Sequence, residues 1–272
     1  MNKPVMEFFT ALQNIRTESD LPRKLAALSE LNEALASGAV QADHAAATEP
    51  IGAPSYAAIC RIVHGSQVER RRNLGTAEGR AVFLHALAHI EYSAIDLALD
   101  SCYRFRHLPP QYYEDWLKVT FDETRHFVML QKLLGQLGYH YGSFSVHTGI
   151  HDAMARSAHS LRQRMAATHR HLEANGLDAH PELARKMQLF DDPLAKQISA
   201  ALKVIFDDEV THVHAGDFWF RYACTLDEVG TGIFAEDVQH AIPGTRFPRP
   251  NLNREARLRA GFTSAELDAL SD

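Results

Sequence analysis

The sequence has 272 residues, 46% hydrophobic and 23% charged, a balance that allows one large or two modest globular domains with a real core. Its formal net charge of −6 supplies no basic field for nucleic acid, and three widely spaced cysteines (Cys60, Cys102, Cys224) form neither a disulfide framework nor a zinc motif. No apolar run approaches the roughly 18 residues of a membrane span, and the first residues lack a signal peptide's apolar core, so the expectation is a reduced, cytoplasmic protein with no membrane partner.

Helical periodicity dominates, and no stretch alternates like a strand. Residues 4–17 and 21–37 predict two short amphipathic helices. The segment 38–77 contains Gly38, Pro50, Gly52, Pro54 and the basic run Arg70–Arg72, and predicts an irregular connection with room for one short helix. Four long helices are then expected at about 78–106, 110–137, 150–175 and 191–227. Pro109 and Pro110 separate the first two, Gly176 is placed as the C-cap of the third, and Pro193 suits the first turn of the fourth. The stretch 135–149, rich in glycine and aromatics, predicts a longer connection. From 228 the chain predicts an extended tail through "IPGTRFPRPNLN", closed by a short helix near 264–270. The fold class is therefore all-α: a four-helix bundle over 78–227, with an N-terminal helical extension (1–77) packing on it and a C-terminal tail (228–272) wrapping it.

Four acids stand where a bundle must bury its apolar stripe. On helical spacing, Glu123 shares a face with Trp116, Val119, Thr120, Phe127 and Leu130, and Glu209 with Leu202, Ile205, Phe206, Val213 and Gly216. Glu91 has Leu84, Leu87, Ala88, Ala94, Ile95 and Ala98 around it; Glu173 lies beside the stripe of the third helix, with His169 one turn back. An ionised glutamate in such a place costs several kcal/mol unless it is paired or bound to metal. With 17 glutamates and 16 histidines, chance supplies about one Glu-x-x-His pair, so the two present, Glu123/His126 and Glu209/His212, prove nothing by number. Their order says more: Glu91, Glu123-x-x-His126, Glu173, Glu209-x-x-His212, a lone glutamate alternating with a pair, helix by helix. That is the ligand set of dinuclear carboxylate bundles, in which hard carboxylate oxygens neutralise two divalent ions and each imidazole adds one nitrogen.

The blocks "EGRAVFLHALAHIEYSAIDLAL", "FDETRHFVML", "LEANGLD", "DDEVTHVHAGDFWF" and "NLNREARLRAGF" resemble the ferritin-like superfamily of di-iron carboxylate proteins and, within it, a bacterial domain-of-unknown-function family. They span about residues 77–265. Asn175 departs from the arginine expected there. The resemblance implies a ferritin-like four-helix bundle with Glu91, Glu123, His126, Glu173, Glu209 and His212 as metal ligands. By similarity of "FDETRH" to the ligand motif of oxygen-activating di-iron monooxygenases and acyl desaturases, Asp122 would orient His212, Asp208 would orient His126, and Arg125 would pair with one of the aspartates.

The implied cofactor is two divalent metal ions, iron first, with manganese or a mixed manganese–iron pair as alternatives. The leading function is an oxidoreductase, a di-iron oxidase or monooxygenase, that uses dioxygen or peroxide on a small organic substrate with an unassigned electron donor. Ferritin-like iron handling, peroxide scavenging and tRNA-base hydroxylation are the other readings; the acidic balance disfavours nucleic acid. A homodimer is an open expectation. His85 and His89 are expected to be structural, His169 is a candidate extra ligand, and Tyr92, Trp116 and Trp219 are expected to be core.

Overall fold

In the computed structural model, which describes residues 5–247 and 251–271, the chain is all-helical apart from one short parallel pairing. It forms two compact units that divide between Thr148 and Gly149.

In the first unit, β1 (Met6–Glu7) pairs in parallel with β2 (Val40–Gln41), a contact too short to alternate in sequence. Between them lie α1 (Phe8–Thr17) and α2 (Leu21–Ala36). Glu7 caps α1 by accepting from the amides of Phe9 and Thr10, and Asp20 caps α2 by accepting from Arg23 N at 2.9 Å. Residue 4, where the first helix was expected to begin, lies outside the described residues, but Met6 and Glu7 are strand and the helix begins only at Phe8. After 3-10 turns at Ser55–Ala58 and Gly65–Gln67 come the two long helices, α3 (Ala77–Arg104) and α4 (Pro110–Gln136). They pack on each other, and α1 packs on α3. Thr76 caps α3 through Gly79 N, and Pro110 opens α4, where a missing N–H costs nothing.

Helix α3 is buried on nearly every side and so carries apolar residues all round. It is long and apolar enough by length and composition to cross a membrane, contrary to the expectation from apolar runs, but 89% of its most apolar window lies inside the protein. Two charges inside this core are answered from the N-terminal helices. Lys24 Nζ, wholly buried, lies 2.5 Å from Asp96 Oδ1 and donates to Ile15 O at 2.8 Å. Asp100 accepts from Arg104 at 2.7 Å, with Arg16 Nε at 3.6 Å.

The second unit departs most from expectation. In place of one helix over 150–175 stand α5 (Gly149–Arg156), α6 (Leu161–Arg164), a π-helix at Met165–Leu172, and α7 (Glu173–Met187). Gly176 is no cap: the helix runs past it and through Pro181. A proline inside a helix strips the carbonyl four residues back of its donor. That carbonyl belongs to Leu177, and Asn253 Nδ2 donates to it at 3.1 Å. Helix α8 (Pro193–Leu226) begins as expected, capped by Asp192 with Pro193 at its first position.

The expected extended tail is largely helical: a 3-10 turn at Thr231–Ile233, α9 (Phe234–Ala241), α10 (Arg254–Arg259) and α11 (Ser264–Ser271). Pro248, Arg249 and Pro250, in the middle of that predicted extension, lie outside the described residues. The tail is tied to its unit by charge. Arg257, almost wholly buried, grips Asp178 of α7 with Nε at 2.9 Å and a terminal nitrogen at 2.7 Å. Gly261, at φ +101°, passes Asp217 of α8 so closely that a Cβ there would meet Asp217 Oδ2 at 2.7 Å.

Glu266 of α11 accepts from Arg221 and from Arg170 of the π-helix, both at 2.8 Å. Burial works against its charge, but Thr263 N–H and the two guanidinia outweigh burial and hold its carboxyl below the ordinary range. A depressed folded value stabilises above the ordinary carboxylate range and is lost as pH falls through that value. Acidification below about pH 4.5 should therefore release α11 before the helices of the first unit, read by hydrogen exchange of residues 264–271 at stepped pH.

Candidate metal centre

Helices α3 and α4 present three of the candidate ligands to one point in the first unit. Glu91, Glu123 and His126 are all buried, and one ligand atom from each lies within 4.8 Å of the others, a group able to hold a metal ion. The one-turn spacing of Glu123 and His126 puts both on the face of α4 that packs on α3. His126 Nδ1 stands 3.3 Å from Glu123 Oε2 and 3.4 Å from Glu91 Oε2. A bare imidazole lone pair facing two carboxylates is repulsive, so a cation belongs between them: a proton or a metal.

The electrostatics of the metal-free group say the same. Burial, then the charge of Glu123, raises the Glu91 carboxyl well above the ordinary range. For His126 burial opposes the imidazolium, but the hydrogen bonds and charges of Glu123 and Glu91 outweigh it and raise the ring to about 11. Glu91 Oε2 is buried, with His126 Nδ1 3.4 Å away. Two hard carboxylates and one imidazole form a donor set that could hold a metal ion. No ion is needed to explain the burial of Tyr92, whose hydroxyl meets Ser55 Oγ at 3.0 Å.

In the second unit Glu209 and His212 lie one turn apart on α8, His212 buried and Glu209 partly so. Gly216, one turn further on the same face, meets the π-helix: a Cβ there would come 2.8 Å from the carbonyl carbon of His169. Only glycine permits that approach. His169, wholly buried, places Nδ1 2.9 Å from Glu173 Oε1, and the Glu173 side chain is 8% exposed. The π-helix thus brings the Glu173 turn against the face of α8 that bears Glu209 and His212. Wide helical turns of this kind are rare and concentrate at functional sites.

The surrounding candidates separate clearly. His85 Nε2 accepts from Gly142 N at 3.0 Å, and burial lowers the ring to about 4. His89 uses both nitrogens, on Tyr141 Oη at 2.9 Å and His147 O at 3.0 Å. Both rings are held by partners within the first unit. Asp122, partly exposed on α4, pairs with Lys118 at 2.8 Å and with Arg125 at 2.9 Å, the arginine pairing the resemblance implied. Asp208 is partly exposed on α8. Trp116 and Trp219 are core. Arg164 and Arg170 of the third segment are buried despite their charge. Arg164 is held nearby, by Ser157 Oγ and Met154 O, whereas the partners of Arg170, Asp217 and Glu266, lie far away in sequence, where periodicity carries no signal.

Comparison with known proteins places the chain in a family. Residues 17–268 match the family described as "Protein of unknown function (DUF455)". A Haemophilus influenzae protein (strain ATCC 51907 / DSM 11121 / KW20 / Rd), described as "Uncharacterized protein", is 36% identical over 205 residues, 73% of this chain and 70% of its own length. No solved structure matches significantly. The chain belongs to the DUF455 family.

Proposed function

We propose that this DUF455 protein binds two divalent metal ions, iron first, and acts as an oxygen-activating oxidoreductase on a small organic substrate. Its four long helical segments are read as a ferritin-like bundle. Glu91, Glu123 and His126 are the ligands offered by the first unit; Glu173, Glu209 and His212 are those offered by the second. The observation that carries the reading is the buried group Glu91–Glu123–His126, with its ligand atoms within 4.8 Å and a cation required among them. The repeat of the same donor types along the chain extends it to a pair of ions.

A bound metal pair supplies a place for dioxygen or peroxide to bind and be reduced. The chain's own residues prepare that place. Glu91 and Glu123 supply negative charge that a bare core would not tolerate, His126 turns Nδ1 toward them, and the buried Phe127 and Leu130, on the same helix face as Glu123, keep bulk water out.

Metal analysis of protein purified without chelator, combined with oxygen uptake on adding ferrous iron, tests the reading. Metal without oxygen consumption would count against oxygen activation; no metal would end the reading.

Two further outcomes follow from the site. The raised His126 value means that the metal-free group holds a proton on that ring at neutral pH. Loading a divalent ion must displace it, so ion uptake should acidify a weakly buffered solution and affinity should rise with pH. Calorimetry in buffers of different ionisation enthalpy measures the protons released. Exchanging Asp122 or Asp208 for asparagine should lower metal affinity roughly 10–100-fold if each orients an imidazole. Wild-type affinity in both variants would return these aspartates to the solvated helix face.

A further inference from the structure

We infer that Glu266 and Asp217, acting through Arg170, are positioning residues for the metal ligand Glu173: together they hold open the π-helical turn that presents it. The inference rests on the proposed metal site and adds to it a part of the chain with no ligand of its own.

A π-helix has poorer packing along its axis than an α-helix and persists only where tertiary contacts support it. This one runs over Met165–Leu172, and its residues Thr168, His169, Arg170 and His171 are all buried. Arg170 is its anchor. Nε donates to Asp217 Oδ1 at 2.7 Å and a terminal nitrogen donates to Glu266 Oε1 at 2.8 Å. The guanidinium also lies 4.2 Å from the ring centre of Phe262 and 4.5 Å from that of Phe234.

Arg221 closes the cluster from its other side, 2.8 Å from Asp217 Oδ2 and 2.8 Å from Glu266 Oε2. Two arginines and two acids thus cancel in charge, which lets Arg170 and Asp217 stay buried. Glu266 and Phe262 come from the C-terminal segment, and Gly261 lets that segment reach Asp217.

Glu173 follows Arg170 by three residues, and His169 before it already faces the Glu173 carboxylate. An α-helix turns about 100° per residue. Relaxing the wide turn to α geometry would therefore swing Glu173 by roughly that angle for each residue absorbed. An acid on α11 can decide where a ligand one helix away points, without touching the metal.

The test uses the full-length protein and cobalt(II), whose visible spectrum reports coordination. Three variants are compared: Glu266→Ala, Glu266→Gln, and Arg254→Ala, which removes an exposed pair with Asp268 in the same segment. Glu266→Ala should weaken one of two cobalt sites roughly 10–100-fold, alter the spectrum, and speed hydrogen exchange over 165–173, with helix content retained. Glu266→Gln keeps an acceptor of the same shape and should fall between; it also serves if the alanine variant does not fold. Arg254→Ala should behave as wild type.

Wild-type cobalt affinity and spectrum in Glu266→Ala, with exchange faster over 264–271 but unchanged over 165–173, would overturn the inference. Failure of the wild-type protein itself to bind cobalt would instead sink the metal reading. Exchange over 165–173 would then decide alone whether the cluster holds the turn.

Discussion

Anaerobic loading with ferrous iron should give two ions per chain in the wild-type protein and no more than one in Glu123→Gln. The accompanying stability change has an unusual sign. Without metal, His126 is protonated, and burial together with the charge of Glu123 pushes Glu91 toward its neutral form. Glu123→Gln removes that charge while nearly keeping the volume, so the metal-free variant should melt at or above the metal-free wild type. With metal the order reverses. An ion at a thousand times its dissociation constant stabilises the wild type by about 4 kcal/mol, and the variant forgoes that at the lost site. A structural ion pair would behave differently, losing stability on substitution whether or not metal is present. Thermal scans of both proteins with chelator and with ferrous iron give the four values needed.

The second large effect lies away from the metal. Lys24→Met should destabilise the first unit by roughly 3–5 kcal/mol, because it strands Asp96 in the core with only the Ser55 hydroxyl, whose Oγ lies 2.5 Å from Oδ2. In melting temperature that is a fall of roughly 6–20 °C. The double variant Lys24→Met/Asp96→Leu removes both charges and should recover most of the loss. A lysine that merely lay against the surface would give less than 1 kcal/mol and no such recovery. Denaturant titrations of the two single variants and the double complete the cycle.

How much of this was legible in the sequence depends on how far apart the interacting groups are. The helices α3, α4 and α8 were legible because a 3.6-residue period and flanking prolines are local signals. The candidate ligands stood out for the same reason: Glu91, Glu123 and Glu209 sit among apolar neighbours on their own helices. The π-helix was not legible, since it is a change in backbone hydrogen-bond register with no side-chain signature. Gly176 misled because a glycine just past an apolar-periodic stretch looks like a helix end. What keeps α7 going is Asn253, 76 residues downstream of the carbonyl it serves. Lys24 with Asp96, and Arg170 with Glu266, pair across similar gaps that a single sequence does not connect. The short helices α9 and α10 were read as tail because neither is long enough to show a period, although Asn253, capping α10 through Ala256 N, was the local clue.

That same asparagine has a consequence for the order of synthesis. As the chain leaves the ribosome, α7 emerges with an interruption at Pro181 that its own backbone cannot repair, and the Leu177 carbonyl must stay with water. Its permanent donor is made some 76 residues later, at several seconds' delay at ordinary rates of translation. Until then the second half of the molecule is a provisional helix awaiting its closing strap, whereas the first half already has every partner it needs for Lys24 and Asp96. A nascent chain stalled before residue 253 should accordingly be protease-resistant up to about Thr148 and cut readily around Pro181.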